Sequence, residues 1–121
     1  MKKTLTIKKN YEFLRVYKKG SYAVGKFLVL YVLKNGLKIN RLGITASKKI
    51  GKSVVRNRLK RLIRESYRHY EEDLVSGYDI VFLSRSTEEK PVYKDIKKEA
   101  GYLLKKLNMF NRERIDCLEE Q

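Results

Sequence analysis

Several residue types are nearly missing from this chain. Its 121 residues hold one cysteine, one proline, one histidine, no tryptophan, and only 14 acids against 29 Lys and Arg. The lone Cys117 has no partner for an internal disulfide, which fits a reducing compartment. With His69 as the single histidine, a pair of histidines for acid–base chemistry and a His-rich metal site are both ruled out. No apolar run approaches the roughly 20 residues that span a bilayer, so no membrane partner is expected. The N-terminus, M-K-K-T-L-T-I-K-K-N, has lysines but no apolar segment of about 7 residues behind them, so it does not read as a secretory signal. These absences together predict a cytoplasmic protein. G-K-S at Gly51–Ser53 lacks the upstream glycine of a nucleotide-binding P-loop. The acids Glu71, Glu72, Asp73, Glu88 and Glu89 fall at expected turns and helix ends, where solvated charge is the ordinary role. Asp79 stands alone, and metal ligands stay unassigned, since magnesium needs few protein ligands. No constellation for an enzyme acting by itself is visible.

What the chain has in excess is positive charge, a formal +15 with a sequence pI near 9.9. That balance in 14.4 kDa favours nucleic acid as partner. The charge concentrates in Ser47–Arg68, S-K-K-I-G-K-S-V-V-R-N-R-L-K-R-L-I-R-E-S-Y-R, with Glu65 as its only acid. Val55, Leu59, Leu62, Ile63 and Tyr70 recur at helical spacing and predict a buried stripe. At about 100° per residue, Arg56, Asn57, Lys60, Arg61, Arg64 and Arg68 share an adjoining face, while Arg58 and Glu65 point elsewhere. A solvated basic face normally alternates in sign, and this one does not. Arg suits forked contact with phosphate better than Lys.

The length predicts a single domain across residues 1–121. Asn10 reads as the cap of a first helix ending before Gly20, in which Phe13, Val16 and Tyr17 share a side. Ser21–Gly25 reads as a short edge strand. K-F-L-V-L-Y-V-L-K at 26–34 is apolar on both faces, as a strand covered twice would be; Phe27, Val29, Tyr31 and Leu33 share one of those faces. Asn35-Gly36 predicts a hairpin into a strand at 41–47, where Gly43 marks a bulge or a close backbone approach. Ser53 caps the basic helix, which runs to about Glu72. Residues 78–84 form a strand parallel to 41–47, and a last helix opens near Pro91. Residues 109–121 read as a frayed polar tail. The expected fold is an α/β (α+β) sandwich of order α-β-β-β-α-β-α, with a four-stranded sheet and packed helices. Core packing is the default role of Phe13 and Tyr17. If the first helix crosses the sheet, however, Phe13, Tyr17, Phe27 and Tyr31 converge on an aromatic cleft able to stack unpaired bases.

Ser47-Lys48-Lys49-Ile50-Gly51, Arg56-Asn57-Arg58 and Lys60-Arg61-Leu62-Ile63-Arg64 resemble the RNR motif of the bacterial ribonuclease P protein family. The resemblance spans roughly residues 5–108. It implies a left-handed βαβ crossover, against the usual handedness. It also implies two partners, a catalytic RNA and precursor tRNA, with magnesium (Mg2+) bound mainly by the RNA that hydrolyses the 5′ leader from the tRNA. By the same resemblance, Lys48, Lys49, Lys52, Arg56, Asn57, Arg58, Lys60, Arg61, Arg64 and Arg68 face the catalytic RNA. Phe13, Tyr17 and Tyr31, with Arg85 more weakly, touch the leader. No catalytic residue is expected in the protein. The competing readings are a ribosomal-type RNA- or DNA-binding module, a stand-alone nuclease and a helix-turn-helix DNA reader. The aromatic cleft, the single histidine and the flanking strands argue against these in turn.

Overall fold

The computed structural model describes residues 4–111. They form β1 (Thr4–Thr6), α1 (Asn10–Lys19), β2 (Ser21–Val24), β3 (Leu28–Lys34), β4 (Asn40–Ala46), α2 (Ser53–Tyr70), β5 (Tyr78–Ser84) and α3 (Tyr93–Lys106). Short 3-10 turns at Lys48–Ile50 and Glu71–Asp73 flank α2. The sheet is mixed and five-stranded, in the order β1-β4-β5-β3-β2. The parallel pairing of β4 with β5 around α2 is as the sequence predicts.

The four-stranded expectation is corrected by β1. Its three residues, Thr-Leu-Thr, lie in a lysine-rich stretch and show no alternating burial, so they give no strand signal. They pair in parallel with β4, Thr4 opposite Asn40. Thr4 also donates to Glu71 Oε2 at 2.6 Å, which leaves the buried Tyr67 hydroxyl, 2.8 Å away, to donate to Thr4. Burial pushes the Tyr67 phenol above its ordinary value, consistent with a donor held protonated.

The expected β3–β4 hairpin is also corrected. Asn35 does make a turn, accepting from Leu37 N–H at 2.8 Å. The strands then splay, and β5 enters between them, antiparallel to β3 and parallel to β4. Apolar residues on both faces of β3 and β5 suit interior positions in a sheet covered twice. One layer is α2 and α3, whose Ile63, Tyr67, Ile96, Leu103 and Leu104 pack on Leu28, Leu30, Leu42, Ile80 and Phe82. The other is α1, whose Val16 packs with Ile7 and Val81. Truncating a fully buried residue such as Phe82 to Ala costs about 3–5 kcal/mol.

Four local expectations shift. Asn10 is the first helical residue of α1 rather than its cap; Lys9 precedes it, with no side-chain cap bond. Ser53 is the first helical residue of α2 rather than its cap; Lys52 precedes it, and no side chain caps that end. Phe27 lies with the α2–α3 core, because Glu99 accepts from the Lys26 and Phe27 amides at 2.7 and 2.8 Å and turns the chain before β3 begins. The fray does not start at residue 109. Met109 is buried, its carbonyl accepts from Val75 N–H, and Phe110 bridges to Leu74. Residues 112–121, including Asp116 and Cys117, lie outside the described residues.

Candidate nucleic-acid interface

Two surfaces are built on opposite faces of β4. On one face, Gly43 and Thr45 look toward α1. A methyl added at Gly43 would lie 2.5 Å from Phe13 Cε1, so the Phe13 ring rests on bare backbone. This is the close approach the sequence anticipates. The Tyr17 hydroxyl is 3.2 Å from Thr45 Oγ1, and its ring meets Tyr31 edge-on at 4.8 Å. Phe13 and Tyr17 are 6.4 Å apart. The structure therefore brings Phe13, Tyr17 and Tyr31 together as expected, without Phe27. It adds Tyr22, directly opposite Tyr31 in the β2–β3 register, 5.8 Å from it and 63% exposed. The hairpin register through Gly25 was the available signal for Tyr22.

This cleft is held by a polar cluster that periodicity alone does not reveal. Asp79 is fully buried on β5. Arg41 donates to it twice, Nε to Oδ1 at 2.7 Å and Nη2 to Oδ2 at 2.6 Å. Arg15 of α1 and Asn35 each donate at 3.1 Å, and Glu12 of α1 closes the cluster on Arg41 Nη1. Burial pushes the Asp79 carboxyl up, but the hydrogen bonds from Arg41, Asn35 and Arg15 outweigh it and hold the acid below its ordinary value. The bonds to Asp79 in turn raise Arg41. Two residues of α1 are thus tied to β4 and β5 just below the rings. A lone acid in Y-D-I-V-F-L-S was the signal for such a cluster, since a buried carboxylate needs cationic partners.

On the other face of β4, Leu42 and Ile44 look toward α2. Arg56 and Lys60 are half-buried on that flank, and Lys60 and Arg64 line a small cleft with Thr6, Ile7, Leu42 and Ile44. Asn57, Arg61, Arg64 and Arg68 form the exposed crest. Arg56 Nη2 donates to Ser53 Oγ at 3.2 Å, while its Nε is buried without a partner. Among the described residues no salt bridge involves α2; the four pairs lie elsewhere. Lys49 and Lys52 are exposed before an α2 N-terminus that has no acid in its first turn. Lys48 opens the turn that leads there. The helix dipole adds positive potential at that end.

Two side chains expected at the RNA surfaces stand apart. Arg58 lies on the opposite flank of α2, with Nη1 3.4 Å from the Pro91 carbonyl. Arg85 is not among the cleft rings: its Nη1 donates to Gly25 O at 2.6 Å, and it lines the same groove as Arg58.

The family model for ribonuclease P matches residues 1–108. The chain belongs to the ribonuclease P protein family. A ribonuclease P protein component of Clostridium botulinum (strain 657 / Type Ba4) is 52% identical over 106 residues, 87% of this chain and 96% of the relative. One from Alkaliphilus oremlandii (strain OhILAs) is 47% identical over 111 residues, covering 92% and 97%. Among solved structures, the RNase P protein of Staphylococcus aureus matches with a TM-score of 0.80 at 34% identity, covering 88% of this chain and 97% of that one. That of Thermotoga maritima matches at 0.75 and 32%, covering 84% and 96%. Ribonuclease P proteins are the protein component of a tRNA-processing ribonucleoprotein endonuclease whose catalysis is carried by RNA. No helix among the described residues is long and apolar enough to cross a membrane.

Proposed function

We propose that this ribonuclease P protein holds the catalytic RNA on the α2 side of β4 and the single-stranded 5′ leader of precursor tRNA on the α1 side, in the cytoplasm. The observation that carries this reading is the shared strand. Residues 43 and 45 floor an aromatic cleft, and residues 42 and 44 back a cationic helix that has no salt bridge among the described residues. Phe13, Tyr17, Tyr22 and Tyr31 offer ring faces to unpaired bases, each stacked base contributing roughly 1–3 kcal/mol. Arg56, Asn57, Lys60, Arg61, Arg64 and Arg68, with the lysines before α2, offer forked or point contacts to phosphates. The protein's contribution is to bind and orient the leader beside the RNA's reacting centre. The left-handed crossover of β4, α2 and β5 is carried over from the family on the same grounds.

Magnesium is assigned to the RNA. Among the described residues no three His, Cys, Asp or Glu side chains gather as metal ligands, and Asp79 is saturated by Arg41, Arg15 and Asn35. The Asp79 carboxylate therefore offers no open position to an ion.

The test is cleavage of a leader-bearing precursor tRNA at low magnesium, with the protein alone, the catalytic RNA alone, and both. Cleavage that needs or is strongly stimulated by both is expected. Cleavage by the protein alone would overturn the reading, as would RNA cleavage indifferent to the protein.

A further inference from the structure

Arg58 and Arg85 are the two of the expected RNA-facing cations that stand apart from both surfaces, and they line one groove. It lies between the first turns of α2 and residues 84–92, with a volume of about 390 Å³. That falls in the range of roughly 300–1,000 Å³ typical of sites for small organic groups. Phe27, Val54, Pro91 and Val92 are among its apolar lining, and Lys90 adds a third cation beside the two arginines. Val54 and Val92 are 79% and 53% exposed, so this chain leaves them uncovered. The guanidinium groups stand on different walls. Each makes one hydrogen bond, to the Pro91 and Gly25 carbonyls respectively, and retains further N–H donors. Glu88 and Glu89 also border the groove, but Glu89 is paired with Lys26 at 2.8 Å.

A slot that combines apolar side chains with a guanidinium on each wall suits a flat aromatic heterocycle attached to anions on both sides. We propose that the groove receives one unpaired nucleotide of the catalytic RNA, its base against Phe27 and Val54 and its flanking phosphates at Arg58 and Arg85. This rests on the RNA-binding reading above. The groove opens on the face of the sheet that carries α2 and α3, whereas the aromatic cleft is on the α1 face, so a leader lying in the cleft does not supply this nucleotide. The placement also accounts for the motif's second arginine, which α-helical geometry turns about 200° from Arg56.

The test replaces Val54 with a photo-crosslinking benzophenone amino acid in the full chain and irradiates the complex with catalytic RNA, with and without precursor tRNA. The expected result is one dominant crosslink to an unpaired nucleotide of the catalytic RNA, present in both samples. A companion variant, Val54→Glu, places a carboxylate at the slot without touching the core and should weaken affinity for that RNA about tenfold. Crosslinks to precursor tRNA, to a second copy of the protein, or scattered along duplex RNA would overturn the proposal. So would intact RNA binding with no crosslink and no effect of Val54→Glu. Failure of the unmodified protein to bind the RNA would instead overturn the functional reading beneath it.

Discussion

Replacing Gly43 with alanine tests the cleft at its floor. Gly43 has no positive φ, so alanine itself is tolerated by the backbone. The added methyl would stand 2.5 Å from Phe13 Cε1, 2.8 Å from Cζ and 3.3 Å from Ile7 Cβ. Carbon atoms settle at about 3.5–4.0 Å, so the ring must retreat by roughly 1 Å. Phe13 contacts Tyr17, and Tyr17 contacts Tyr31, so the retreat disturbs the whole ring set. Overpacking of this kind costs about 1–3 kcal/mol, or about 3–6 °C of thermal midpoint per kcal/mol at this length. The functional readout is the ratio of holoenzyme affinities for precursor tRNA with a leader and for mature tRNA. Gly43→Ala should lower that ratio several-fold, by part of the worth of one stacked base, while affinity for the catalytic RNA is kept. In a Phe13→Ala background the methyl meets no ring, and Gly43→Ala should become nearly neutral in both assays. Equal effects with and without the Phe13 ring would refute the reasoning.

Three further outcomes are expected. Asp79→Asn should cost about 3–5 kcal/mol, because Arg41 and Arg15 lose a buried anion. Since the fold depresses the Asp79 carboxyl, its contribution is complete above the unfolded value near 3.9 and is lost as pH falls through the folded value; denaturation curves from about pH 5 to 2 should steepen for the native protein relative to the variant, and parallel curves would count against the cluster. Arg56→Ala with Arg61→Ala should lower the log–log salt slope of catalytic-RNA binding by about 0.7–0.9 for each phosphate no longer neutralised, and an unchanged slope would remove these side chains from the interface. Tyr22→Ala, at an exposed ring, should leave the thermal midpoint within about 0.5 kcal/mol equivalents yet weaken leader-bearing precursor more than mature tRNA; equal weakening would exclude Tyr22 from the cleft's work.

Much of this molecule was readable where periodicity and composition agree. The basic helix, its buried stripe and the parallel partnership of β4 and β5 follow from local pattern, whereas the meeting of Phe13, Tyr17 and Tyr31 was expected only if the first helix crossed the sheet, and from the family resemblance. The failures come from interactions far apart in sequence. β1 gains its partners at Asn40, Tyr67 and Glu71, and a three-residue strand carries no pattern of its own. Asn35-Gly36 has hairpin chemistry, but local turn preference does not forbid a third strand from entering between the two arms. Phe27 alternates correctly with Tyr31, yet Glu99, 72 residues away, captures its amide and sends the ring to the other layer. Arg85 follows the last strand in sequence, and only the carbonyl of Gly25 determines where its guanidinium rests.

Two binding surfaces on the opposite faces of one strand have an electrostatic consequence. Packed layers are on the order of 10 Å apart, close to the Debye length of about 8–10 Å at physiological salt. Two polyanionic strands bound on the two faces of β4 would therefore feel each other's charge through the protein, with little electrolyte between them. On that reading the cations of α2 would serve as counterions to both strands at once. Binding of either strand should then strengthen as salt is lowered only until the repulsion between them, unscreened by the same dilution, begins to oppose it.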